Sequence, residues 1–128
     1  MSMKHIVVIL CLLTVQVAVQ AQQQDVIIAS FEQGDVEKLS QYFDENIDLT
    51  VLQNEGIYSK AQSKVILKNF FSSNSPAKFT SQHQGGSENS RYVIGNLSSN
   101  GKSYRVYFLF KKSNEKTIIQ KIRIEHDK

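Results

Sequence analysis

The stretch "RYVIGNLSSNGKSYRVYFLFKK", Arg91 to Lys112, decides the fold. Two runs rich in β-branched and aromatic residues flank Asn100-Gly101, the pair best able to take positive φ at both centres of a tight hairpin turn. Alternation assigns the faces: Tyr104, Val106, Phe108 and Phe110 share one side of the second run, and Arg105, Tyr107 and Leu109 share the other. After the polar turn "SNEK", the run "KTIIQKIRIE" supplies a further strand, on which Ile118, Ile122 and Ile124 match the core side. Upstream, Phe79 to Gln84 reads as a strand ahead of the loop "QGGSENS". Strands in sequence joined by short turns predict a consecutive antiparallel meander.

Ahead of the meander the hydrophobic period is helical. In "DVIIASFEQGD", Ile27, Ile28 and Phe31 lie on one helix face, Gly34 stops the helix and Asp35 caps the next, whose apolar side is Val36, Leu39 and Phe43. "NIDLTVLQNEGIYS" then alternates, with Ile47, Leu49 and Val51 on one side and turn residues at Asn54 to Gly56, which predicts a short hairpin. "SKAQSKVILKNFF" opens on a capping box, Ser59 and Gln62, in which each side chain satisfies an amide of the opening turn. Lys60, Lys64 and Lys68 form one line along it, while Ala61, Val65, Ile66, Leu67, Phe70 and Phe71 fill most of the remaining circumference. This helix is expected to be buried on more than one side, and Pro76 ends the helical half.

The first 21 residues read as an export signal: Lys4 precedes the apolar run Ile6 to Val15, and Val19 and Ala21 occupy the small-residue positions of a cleavage site. The run is shorter than the roughly 20 residues a spanning helix needs. Cleavage after Ala21 leaves a single domain, residues 22–128, without stable membrane insertion, in the periplasm or secreted. Cys11, the only cysteine, leaves with the signal, which excludes disulfides, thiolate metal sites and a cysteine nucleophile from the processed chain. Lys4 is the only charged side chain removed, so 14 basic and 12 acidic groups remain, a net charge of +2 and no nucleic-acid signature. The charge is unevenly placed, with eight acids against four Lys in residues 22–75 and ten Lys or Arg against four acids in residues 76–128. A helical half packed on a more basic sheet half accounts for this; a cationic surface for an anionic partner is the alternative.

The face of the meander opposite the core carries Arg105, Tyr107, Leu109, Ile119, Lys121 and Arg123, apolar at its centre and framed by cations. That is interface composition, and it predicts a homodimer.

The blocks "GDVEKLSQYFDENIDL", "EGIYSKAQSKVILKNFF", "HQGGSENSRYVIGNL" and "YRVYFLFKK…IIQKIRIE" carry a family likeness. Their order, two helices, a short hairpin, a long helix and a curved meander, resembles the nuclear transport factor 2-like (cystatin-like) superfamily, an α+β cone in which N-terminal helices pack on a curved antiparallel sheet. In detail they look like an exported Bacteroidetes family that carries a domain of unknown function (4783). The finer likeness brings no catalytic or ligand residues with it. The superfamily includes isomerase-like and dehydratase-like enzymes that place an acid, or an acid beside a histidine, in the open end of the cone, and fold analogy alone does not carry that chemistry over.

If Phe79 points inward, Ser81 and His83 share its face, and His83 would reach the mouth of the cone near Tyr58. Asp48 alternates with Ile47 and Leu49 and so faces solvent, which leaves His83 without an inward acid. Tyr42, Tyr58, Tyr92 and Tyr104, with Asn96 and Gln120, would give polar handles to an apolar cavity suited to a small apolar or anionic ligand. His126 lies in the tail "EHDK", and two separated histidines without clustered carboxylates make no metal site. No cofactor motif is present. The expected function is that of an exported noncatalytic protein that binds a small ligand or another protein of the cell envelope; the alternative is a proton-transfer enzyme working at the open end of the cone.

Overall fold

The computed structural model describes residues 23–127. The export signal and its cleavage site lie outside the described residues. Helix α1, residues 23–32, is followed by α2 (Val36–Ser40), β1 (Phe43–Val51), β2 (Asn54–Ser59), α3 (Lys60–Ser73), β3 (Lys78–Gly86), β4 (Ser90–Ser99), β5 (Lys102–Ser113) and β6 (Lys116–His126). One six-stranded sheet runs in the order β2-β1-β6-β5-β4-β3. The four C-terminal strands form the expected meander, and the β1–β2 hairpin joins it through a parallel pairing of β1 with β6.

Local chemistry sets the boundaries. Gly34 ends α1 at φ +69°, a conformation that a Cβ would strain. The Asp35 carboxylate accepts the Lys38 amide at 3.1 Å and starts α2. Ser59 and Gln62 form the capping box of α3. Asn100 and Gly101 take φ +49° and +79° at the β4–β5 turn, as the hairpin reading required.

Edge-to-face aromatic contacts fill the space between the helices and the sheet. The ring of Phe31 on α1 lies 5.3 Å from Phe71 on α3, 5.9 Å from Phe79 on β3 and 5.0 Å from Phe108 on β5, centroid to centroid. Phe70 meets Tyr104 at 5.2 Å, and the Tyr104 hydroxyl donates to Asn74 Oδ1 at 2.7 Å, so the one polar atom of that ring is satisfied at the C-cap of α3.

Five expectations are corrected. Helix α2 is one short turn: Phe43 opens β1 rather than extending the apolar face of the helix. The β1–β2 turn is at Leu52 and Gln53, with Leu52 at φ +56°, while Asn54 to Gly56 already belongs to β2. Helix α3 is buried on one stripe, Ser63, Leu67, Phe70 and Phe71, leaving Val65 58% exposed, because the sheet covers a single side of it. On β6, Gln120 is an extra residue, since Leu109 pairs with Lys121 and Phe110 with Ile119. This bulge reverses the alternation, so Ile119, expected on the outer face, is fully buried and Ile118 only half-buried. A second bulge at Gln82, between the pairs Ser81 with Gly95 and His83 with Ile94, turns His83 to the outer face and Gln84 to the helix side.

Candidate functional site

Two surfaces collect side chains capable of recognition. The first is the sheet face opposite the helices. Register aligns two rows of residues across all six strands. One row runs Gly85, Tyr92, Leu109, Lys121, Asp48 and Ile57. The other runs His83, Ile94, Tyr107, Arg123, Thr50 and Glu55. Tyr92, Ile94, Tyr107 and Leu109 thus form a contiguous half-buried quartet on β4 and β5, with the two tyrosine rings stacked 6.4 Å apart at 14°. Glycine at position 85 makes room for it, because a Cβ there would stand 2.6 Å from the Tyr92 hydroxyl.

Beyond the quartet the face is charged with both signs. Lys121 Nζ lies 3.4 Å from Asp48, and Arg123 lies 3.4 Å from Glu125 and 3.9 Å from Glu55. Arg105 is exposed at the rim. Beside it the Asn96 amide donates to the Ser103 hydroxyl at 2.5 Å and to Asp127 Oδ2 at 2.7 Å, which fastens the C-terminal residues to the sheet. Ile57 on the edge strand β2 is 71% exposed and extends the apolar surface at the far end of its row.

The second surface is a groove between the N-terminal half of α1 and the ends of β3, β4 and β5. It encloses about 290 Å³ and is lined by Gln24, Asp25, Gln84, Arg91, Phe110 and Thr117 among others. A Gln24 to Gln84 side-chain hydrogen bond of 3.2 Å spans it, and the Gln23 side-chain oxygen accepts the Thr117 amide at 2.7 Å, tying α1 to β6.

The pocket residues expected from the sequence do not gather there. Tyr104 is 2% exposed and belongs to the core. Tyr58 packs half-buried against the core from β2, at the opposite edge of the sheet from the groove. Tyr92 and Asn96 are on the outer face with His83, which is exposed. The residues that do line the groove were missed because they come from a helix end and strand ends. Of the two acids two turns apart on α1, Asp25 lines this groove and Glu32 does not. Of the expected outer-face residues, Arg105, Tyr107, Leu109, Lys121 and Arg123 are on that face, and Ile119 is not.

Electrostatics separates paired charges from open ones. Lys64 donates to Glu37 at 2.8 Å and Lys68 donates to its other oxygen, and these two hydrogen bonds, Lys64 first, hold the Glu37 carboxyl at a pKa of about 2. Lys111, 2.8 Å from Asp44, lowers that carboxyl in the same way. Two of the three lysines in the α3 line thus share one carboxylate of α2. The acidic and basic halves of the chain meet in the pairs Lys111 with Asp44, Lys121 with Asp48 and Arg123 with Glu55, which explains the uneven charge along the sequence as internal complementarity. Among the described residues no group of three His, Cys, Asp or Glu side chains is placed to hold a metal ion.

The model of the family described as a domain of unknown function (DUF4783) matches residues 24–125. Among curated proteins, none matches the chain. The structure is similar to the crystal structure of a DUF4783 family protein from Bacteroides uniformis, with 28% identity, a TM-score of 0.76, and coverage of 81% of this chain and 96% of that one. A DUF4783 family protein from Bacteroides ovatus matches with 27% identity, a TM-score of 0.75, and coverage of 80% and 94%. An NTF2-like protein of unknown function from Cytophaga hutchinsonii, at 11% identity and a TM-score of 0.58 over 80% and 84% of the two chains, shows the fold alone. The fold is nuclear transport factor 2-like.

Proposed function

The chain belongs to the DUF4783 family, and from that premise we propose that it is an exported, noncatalytic interaction protein whose outer sheet face mates with that of a second copy. The observation that carries this reading is the quartet Tyr92, Ile94, Tyr107 and Leu109, an apolar and aromatic patch contiguous across β4 and β5. Its surroundings suit self-association: Lys121 and Arg123 on β6 stand beside Asp48 on β1, Glu55 on β2 and Glu125, so two such faces meet without an excess of one charge. The interior argues against proton-transfer chemistry inside the cone. Phe31, Phe71, Phe79 and Phe108 fill the space between helices and sheet, and among the described residues no acid is buried. The N-terminal 21 residues support a periplasmic or secreted location.

Native mass spectrometry of the protein purified from its own cells tests the reading. The chain is expected to begin at Gln22 and to appear at twice its mass. Leu109→Arg, which buries a charge in the apolar patch of each copy, is expected to give the monomer mass while remaining folded, with a melting temperature lowered by the lost association. A wild-type monomer, or a dimer indifferent to Leu109→Arg, overturns the proposal.

A further inference from the structure

The groove at the end of α1 holds two charges that no other described residue compensates. Lys111 is committed to Asp44 at 2.8 Å, and Lys112 to Glu88 at 3.6 Å. Asp25 and Arg91 line the same groove, and neither forms an ion pair among the described residues. They approach from different elements, Asp25 from α1 and Arg91 from the start of β4, so a carboxylate and a guanidinium face one space without closing on each other.

We propose that this groove binds a small zwitterion, a free amino acid or short peptide, with its ammonium group on Asp25 and its carboxylate on Arg91. A guanidinium offers a carboxylate two parallel N–H donors, and Asp25 offers acceptor oxygens to an ammonium. The volume of about 290 Å³ falls at the small end of ligand sites. The same groove is lined by groups that match a peptide unit, the Gln24 and Gln84 amides, bonded to each other at 3.2 Å, and Thr117.

A neighbouring hollow of about 230 Å³ refines the ligand. It shares Gln24, Asp25 and Gln84 with the groove and is lined by Ile28, Ala29 and Val93. Glu32, which also lines it, accepts the Phe79 amide on one carboxylate oxygen at 3.0 Å. An ammonium held at Asp25 directs the side chain of its own residue into this hollow, so the preferred ligand carries an apolar side chain beside its free amine.

Titration calorimetry with leucyl-glycine tests the site, with N-acetyl-leucyl-glycine, leucyl-glycinamide, glycyl-glycine and free leucine as companions. Blocking either terminus is expected to weaken binding about tenfold, the low end for a charge-assisted hydrogen bond at an exposed site. Glycyl-glycine binds more weakly than leucyl-glycine, and comparison with free leucine tells whether an amino acid or a peptide is the ligand. Asp25→Asn is expected to abolish the discrimination against the acetylated probe, and Arg91→Gln that against the amide. Both residues are exposed, so both variants keep the wild-type melting temperature. Backbone amide shifts at Asp25 and Arg91 on addition of leucyl-glycine give a second readout. Absence of heat and of shifts at millimolar probe, or binding indifferent to the blocked termini and to both substitutions, overturns the proposal.

Discussion

Gly95 lies buried at the middle of β4 because the ring of Phe79 crosses directly over it. A Cβ at this position would stand 2.4 Å from the ring edge of Phe79 and 2.5 Å from the Thr80 carbonyl oxygen, and that carbonyl is backbone that cannot swing aside. Gly95→Ala is therefore expected to destabilise the protein by about 1–3 kcal/mol, the usual cost of overpacking. Urea denaturation measures it, and an unchanged midpoint contradicts this account of β4. Single side chains also show where sequence reading stops. Tyr104, Val106, Phe108 and Phe110 were legible as core because an unbroken alternation carries them, and all four are at most 3% exposed. His83 was not, because in "FTSQHQGG" only Phe79 is apolar, and a run with one apolar residue contains nothing that reveals a slipped phase. On β6 the doublet Ile118-Ile119 fits either phase, and only the bulge at Gln120 chooses the second.

Helix α3 shows the same limit for a whole element. Its start was legible, since the capping box is a matter of residue types at fixed spacing. Its burial was not: "VILKNFF" offers more apolar residues than one packed side can cover, and which stripe is covered depends on a sheet made largely of residues later in the chain. Along the flank of this stripe the helix holds α2 through Glu37, which binds both Lys64 and Lys68. The folded-state pKa of Glu37 lies near 2, below its ordinary value of 4.5, so the contribution of these pairs is complete above 4.5 and is lost as pH falls toward 2. All three groups are substantially exposed, which keeps the effect modest and sensitive to salt. Denaturation at a series of pH values is expected to show a shallower loss of stability between pH 4.5 and 2 for Glu37→Gln than for the wild type at low salt. Equal slopes would assign the acid sensitivity elsewhere.

For the whole molecule, the pattern of charge along the chain becomes a pattern of contact. The acids of β1 and β2 meet the cations of β5 and β6, which ties the N-terminal hairpin to the meander at the parallel β1–β6 junction. With the aromatic core closing the space between helices and sheet, the surfaces left for recognition are the outer sheet face and the groove beside α1. The fold was legible because it depends on the order and period of elements. The groove was not, because its lining residues are far apart in sequence and come together only when α1 crosses the ends of β3, β4 and β5. The outer face lies between these cases: Arg105, Tyr107, Leu109, Lys121 and Arg123 were legible from alternation, Tyr92, Asn96 and His83 were not, and the second copy proposed there is a property of two molecules. A spin label on Arg105→Cys, at the rim of that face, in the processed chain from Gln22, tests the proposed second copy directly by pulsed dipolar spectroscopy. The account predicts one discrete distance between labels on two chains, abolished by Leu109→Arg. A featureless decay, or a distance that survives Leu109→Arg, would contradict it.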